Sequence, residues 1–167
     1  MSLVIGLGLA ACGSSPSVAP TTTSTAPSNQ AAYLCQVIPR VDRLIVTRQA
    51  PGNQFRFTFP AVVTVTNAAD ARAVATSACA LPDAPKGVQH CPAAFAISYR
   101  LVFWVRGQKG PGDDLIVVNP TGCPSVTGLG AVRTTALGTD FYRVLGKAMG
   151  LTNANYLTFR GAFRTGG

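Results

Sequence analysis

The residues that could do nucleophilic or acid–base chemistry are few and widely spaced. The chain has 167 residues, among them five Cys, one His and six acidic residues, all of which are Asp. His90 precedes Cys91, so a Cys–His nucleophile pair can be drawn, but the pair is inactive once the sulfur is oxidised. We predict that His90 is a solvated loop residue. Asp113 and Asp114 are neighbours in a predicted turn, where adjacent side chains usually point apart.

The spacings of these residues match no metal or cofactor motif. The cysteines lack the C-x-x-C spacing of structural zinc sites, and a single His adds little to them. Gly128 and Gly130 flank Leu129, but the third Gly of a dinucleotide-binding loop is missing, as is its strand-to-helix context. We therefore expect no catalytic residues, no metal site, no cofactor and no enzymatic activity.

Two aromatic and cationic residues remain as candidates for ligand binding. Trp104 and Arg106 lie on the face of a predicted strand opposite its Phe and Tyr residues. An indole beside a guanidinium suits cation–π and stacking contacts, so these two side chains form a candidate ligand surface. The competing interpretation is that they pack under a helix or under the C-terminal tail.

Four of the five cysteines, at positions 35, 79, 91 and 123, fit two disulfides in an oxidising compartment. Loop closure contributes about 3.7 kcal/mol for Cys91–Cys123 and about 4.0 for Cys35–Cys79. The rival pairs, Cys79–Cys91 and Cys35–Cys123, give about 2.9 and 4.6 kcal/mol by the same relation, so entropy does not decide. We favour Cys91–Cys123 with Cys35–Cys79, because the first pair brackets one predicted hairpin.

The elements that position these residues are short strands and two helices. Strands are predicted over 42–48, 54–59, 61–66, 94–106 and 115–118, with a further edge strand within 126–135. In 94–106 one face carries alternating apolar residues from Phe95 to Val105, and the other carries Arg100, Trp104 and Arg106 among smaller residues. In 54–59 three Phe residues alternate with Arg56 and Thr58, which is typical of a half-buried antiparallel strand, and Pro60 then favours a bend.

A first helix follows Thr66 or Asn67, either of which can cap it, and ends before Pro82. A second helix is capped by Thr139 and ends at Gly150. In the tail we expect Phe159 and Phe163 to pack against the fold. Strands interrupted by helices predict an α+β domain over 33–167, with one antiparallel sheet of about four to six strands, two helices packed on it and disulfides.

The first twelve residues predict an export signal. Residues 3–11 are apolar or Gly, and Leu9-Ala10-Ala11-Cys12 resembles the lipobox of bacterial lipoproteins. That resemblance implies acylation of Cys12, cleavage just before it, and anchoring to the outer face of the cell membrane. Acylation by more than one chain makes such anchoring stable.

Residues 13–32 contain no charged or bulky aromatic residue and are rich in Ser, Thr, Pro and Ala. They cannot bury enough apolar surface to fold, so we predict a disordered stalk. Together the lipobox, the stalk and the Ala- and Arg-rich domain look like the small exported lipoproteins of actinobacteria. The resemblance to these lipoproteins implies a location at the cell membrane, which is the implied partner. It implies no catalytic activity.

The net charge is +8, and 47% of the residues are hydrophobic. The Arg residues are scattered singly, with few interleaved aromatic residues, so we expect no nucleic-acid binding. A basic domain attracts anionic partners, and an anionic envelope component or another protein is therefore the expected partner. Overall the sequence predicts a non-catalytic binding or structural module of the cell envelope.

A second resemblance gives an alternative function. The stretch Cys91-Pro92-Ala93-Ala94-Phe95, followed by Cys123, is similar to the bacterial subtilisin-inhibitor family. In that family a disulfide-anchored loop presents a specificity residue to the protease. The resemblance implies that Ala93 has this role. The short first disulfide loop of the family is absent from this chain.

Overall fold

The structure is a computed structural model that describes residues 33–87, 89–108, 115–135 and 139–163. The predicted leader with Cys12, the predicted stalk 13–32 and the Asp113–Asp114 pair lie outside these ranges. The strands are β1 (Val41–Gln49), β2 (Phe55–Arg56), β3 (Val62–Val65), β4 (Ser98–Val105), β5 (Ile116–Asn119), β6 (Ser125–Leu129), β7 (Ala131–Thr134) and β8 (Ala162–Phe163). The helices are α1 (Tyr33–Val37), α2 (Ala68–Cys79), α3 (Phe141–Ala148) and α4 (Tyr156–Arg160), with a 3-10 turn at Ile38–Arg40.

Six strands form one antiparallel sheet in the order β3-β1-β4-β5-β6-β7. The α+β class and the disulfides predicted from the sequence are confirmed. The burial pattern of strand β4 shows why the helices pack on one face of the sheet. Its residues 99, 101, 103 and 105 are buried, whereas Arg100 is exposed and residues 102 and 104 are half-buried. Because side chains alternate across a strand, this pattern leaves one face of the sheet for the core.

Helix α2 covers the core face against β1 and α3. It begins where predicted, since the Asn67 side chain accepts hydrogen bonds from the backbone N–H groups of Ala69 and Asp70, at 2.8 and 3.4 Å. These bonds occupy two of the amides that an α-helix leaves unpaired at its start. The buried residues of α2 are small or β-branched, namely Ala71, Val74, Ala75 and Ala78. Their size lets the helix lie close to the sheet.

The predicted cap of the second helix is wrong by one residue. Asp140, not Thr139, is the N-cap of α3, and it makes no capping hydrogen bond. Its carboxylate instead accepts two bonds from the Arg143 guanidinium, at 3.1 and 2.7 Å, and this partner lowers the pKa of Asp140. The Thr139 hydroxyl is buried and has no partner in the part of the chain that the structure describes.

Three predicted strands differ from the observed ones. The stretch 94–106 is a strand only over Ser98–Val105. Residues 94–97 form a loop, because Ala96 has a φ of +53° that an extended strand does not accommodate, and Arg106 lies in the turn after β4. The stretch 54–59 contributes only β2, which pairs with β8 near the C-terminus. Phe59 beyond it is buried against the rings of Tyr99 and Phe159, so aromatic packing replaces strand pairing there. The single edge strand predicted within 126–135 is the hairpin β6–β7. A Cβ at Gly128, where φ is +91°, would overlap the carbonyl oxygen of Leu115, the residue just before the neighbouring strand β5.

Two buried phenols make the fold sensitive to alkali. The Tyr99 hydroxyl donates to the Phe159 carbonyl oxygen at 2.7 Å, and the Tyr142 hydroxyl lies 3.0 Å from Thr135 Oγ1. Burial raises the pKa of both tyrosines, so the folded state holds them neutral where the unfolded chain begins to ionise. Their contribution to stability is complete below the unfolded pKa of about 10 and is lost as the pH rises above it.

We therefore expect urea unfolding between pH 8 and 11 to show a decline in the free energy of unfolding above about pH 10. The decline from each phenol is at most about 1.4 kcal/mol per pH unit. The double change Tyr99→Phe and Tyr142→Phe should make the profile shallower over this range, because phenylalanine does not ionise. An unchanged slope in the double variant would contradict the assignment.

Candidate functional site

The loop that leads into β4 is the candidate site. Residues 89–97 have no regular secondary structure, and residues 91–94 are exposed. Cys91 is bonded to Cys123, with the two Cα atoms 4.9 Å apart, which confirms the predicted pairing. The second predicted disulfide, Cys35–Cys79, is also formed. Since the Cys91 sulfur is bonded, the thiolate of a Cys–His pair is not available to His90, which is exposed in the same loop.

A second contact holds the loop on the other side of Ala93. The Phe95 backbone N–H donates to Thr121 Oγ1 at 3.1 Å, and Thr121 is buried. Gly122 lies directly below Ala94, since a Cβ added to the glycine would be 3.1 Å from the Ala94 Cβ. The loop is therefore fixed at positions 91 and 95 by the turn that follows β5.

The end of the loop is clamped by aromatic packing. The Phe95 ring lies 5.8 Å from that of Phe55 and 5.0 Å from that of Phe163, between centroids. Ala96 follows with a φ of +53°, a left-handed conformation that a residue with a Cβ adopts only when its surroundings impose it. Positions 92–94 are thus presented to solvent from a supported backbone.

Trp104 lies away from the loop, on the face of β4 opposite the buried residues, and Arg106 lies in the turn just after β4. They share a shallow depression of about 400 Å³ with Asp42, Arg43 and Gln108, so its lining is mainly polar. The Arg43 guanidinium lies 4.2 Å from the centre of the Trp104 ring. The buried indole Nε1 has no hydrogen-bond partner among the described residues. The structure therefore brings the two predicted residues together and adds Arg43 to them.

Sequence patterns did not reveal Arg43 as a partner of Trp104. The two residues are paired across β1 and β4, next to a register shift between Val41 and Arg43. A bulge of this kind changes which residues share a face, and nothing local in the sequence marks it.

The structure contains a larger cavity, of about 1060 Å³, which no sequence pattern predicted. It lies between strand β7, the first turn of α3 and residues 84–87 and 89–92, with the Cys91–Cys123 disulfide in its wall. Tyr142 and Tyr156 line it with their rings 5.5 Å apart. These residues come from four separate parts of the chain, which explains why no motif predicted them.

Within the described ranges, no group of three or more His, Cys, Asp and Glu side chains lies close enough to share a metal ion. Over the same ranges, no helix has both the length and the apolar character of a membrane span.

The protein is an α+β protein in which the Cys91–Cys123 disulfide supports an exposed loop before the central strand β4. No protein-family model matches the chain, and no curated protein or solved structure matches it.

Proposed function

We propose that this protein is a non-catalytic binding module of the cell envelope, held at the outer face of the membrane by a lipid on Cys12. The observation that carries the binding role is the loop, which is exposed at residues 92–94 and supported at Cys91 and Phe95. A loop ordered in advance loses little conformational freedom when a partner binds, and so favours affinity. The lipobox-like residues 9–12 and the stalk 13–32 support the location.

The anchor is tested by moving the chain off the membrane. Cys12→Ala removes the thiol that accepts the lipid, so we expect the variant to leave the detergent phase of a Triton X-114 partition. The wild-type protein should enter that phase. Ser15→Ala, three residues further on, is the matched control and should behave as wild type. A Cys12→Ala protein that still enters the detergent phase would refute the anchor.

A narrower candidate function, inhibition of a subtilisin-like serine protease, is favoured by one specific feature. Ala93 lies between the two fixed points of the loop, and its side chain is exposed. A protease that cut the chain beside Ala93 would leave both ends attached, by the Cys91–Cys123 bond on one side and the Phe95–Thr121 hydrogen bond on the other. Such support keeps a cleaved loop in place and slows its release.

Titration of subtilisin with the full chain tests this function. We expect the wild-type protein to inhibit, and Ala93→Asp to weaken inhibition by at least about 30-fold, the effect of losing a central contact residue. Ala69→Asp is the matched control. It makes the same change at an exposed alanine in the first turn of α2, where the helix dipole tolerates an acid. No inhibition by the wild-type chain would end this candidate, and equal inhibition by all three proteins would exclude Ala93.

A further inference from the structure

The cavity beside β7 differs from the loop in its chemistry. Its volume, about 1060 Å³, is at the upper end of the range of small-molecule sites. Most of its lining is apolar or aromatic, and includes Pro85, Pro92, Pro124, Val132, Tyr142 and Tyr156. Val132 is 49% exposed on an edge strand, which leaves an apolar side chain uncovered at the wall. Apolar walls of this extent favour an apolar ligand.

The charges at the cavity cancel each other. Asp140 and Arg143 are the two charged residues among the described lining, and their side chains form a bidentate ion pair at 3.1 and 2.7 Å. Neither charge is left over to neutralise a carboxylate or an amine in the cavity. Since an uncompensated charge is costly to take out of water, the site favours an uncharged ligand.

One polar group of a residue that lines the cavity, the Thr139 hydroxyl, makes no hydrogen bond to the described residues. The buried Thr139 hydroxyl has no hydrogen-bond partner in the described part of the chain, whereas the neighbouring Thr135 and Tyr142 hydroxyls are paired. A buried hydroxyl without a partner is costly, and a hydrogen bond to a ligand oxygen or nitrogen would remove that cost. Because the Thr139 oxygen itself is shielded from solvent, a rotation of this side chain, which lines the cavity, would bring the hydroxyl to the ligand.

We propose that this cavity binds an uncharged amphipathic small molecule, with an apolar body along the tyrosine and proline walls and a hydroxyl or ester group at Thr139. Long-chain alcohols and acylglycerols represent the class. The proposal is independent of the anchor and of protease inhibition.

The test uses the full 167-residue chain carrying Cys12→Ala, so that no lipid is attached, and the uncharged fluorescent probe N-phenyl-1-naphthylamine. We expect saturable binding of the probe. Dodecanol should displace it at concentrations at least about tenfold lower than dodecanoate, the same chain with a charge. No saturable binding, or equal displacement by the two competitors, would overturn the proposal.

Two valines on opposite edges of the sheet provide matched variants. Val132→Trp places a large ring in the cavity and should weaken probe binding by at least about tenfold. Val62→Trp makes the same change at a 55% exposed valine on β3. Strand β3 is the edge of the sheet opposite β7, so this variant should bind the probe as the wild type does. Equal binding by both variants would assign the probe to another part of the chain, such as the apolar leader, and would refute the cavity.

A third variant examines the polar contact. Thr139→Val keeps the shape of the side chain but removes the hydroxyl, and the fold should tolerate it because that hydroxyl has no partner. We expect about 2- to 10-fold weaker binding of dodecanol, the effect of one hydrogen bond. Unchanged dodecanol affinity in a folded variant would remove Thr139 from the site.

Discussion

Replacing Phe159 by alanine is expected to lower the free energy of unfolding by about 3–5 kcal/mol. The Phe159 ring is fully buried, and it contacts the rings of Phe59, Tyr99 and Tyr142 at centroid distances of 5.8, 5.3 and 5.3 Å. Alanine would leave a cavity between the short helix α4 and the sheet. Because rigid aromatic neighbours close such a cavity poorly, the loss should fall in the upper part of this range.

Equilibrium urea unfolding of the Phe159→Ala variant measures the effect. Phe163→Ala is the control, since the Phe163 side chain is 57% exposed, and its removal should cost about 1 kcal/mol or less. Both variants keep their backbone groups, including the Phe159 carbonyl that accepts the Tyr99 hydrogen bond. Similar losses in the two variants would show that α4 is not held by the aromatic cluster.

Removal of the Cys35–Cys79 disulfide, by changing both residues to alanine, should lower the free energy of unfolding by about 4 kcal/mol. The sequence separation of 44 residues sets this loop-closure value, which comes from the added freedom of the unfolded chain. A local effect should accompany it. Helix α1 has five residues, too few for an isolated helix in water, and the disulfide ties it to the end of α2.

Urea unfolding measures the global loss, and amide hydrogen exchange of Leu34 to Val37 measures the local one. The corresponding change at Cys91 and Cys123 is the control. It should cost about 3.7 kcal/mol by the same relation but leave exchange in α1 unchanged. A loss below about 1 kcal/mol for the Cys35–Cys79 pair would mean that the unfolded chain is already compact around these residues.

The loop and the cavity share one wall. Cys91 and Pro92 form part of the exposed loop and also line the cavity, as does the Gly122–Cys123 turn below them. The loop therefore faces solvent on one side and the cavity on the other. Ala93 is not part of the cavity lining and Val132 is, so changes at these two positions affect the loop and the cavity separately.

Local patterns in the sequence were enough to predict several elements. The alternation in 94–106 predicted β4 and the residues that it buries, because side-chain direction in a strand depends only on neighbouring positions. Asn67 as a helix cap is likewise a short-range property, since the capping side chain reaches amides two and three residues on. The disulfide pairing was preferred from the hairpin, although entropy left its rival open.

The sequence by itself predicted the α+β class from the order of strands and helices. It also predicted the start of α2 and the two faces of β4, because each of these depends on contacts within a few residues. Only the tertiary structure decided that Phe55 pairs with Phe163 and that Arg43 stacks on Trp104, because both contacts depend on strand register. The Asp140–Arg143 pair is local, but the sequence did not show that Asp140 rather than Thr139 is the N-cap of α3. The cavity needs four distant segments to meet, so its lining exists only once the chain has folded.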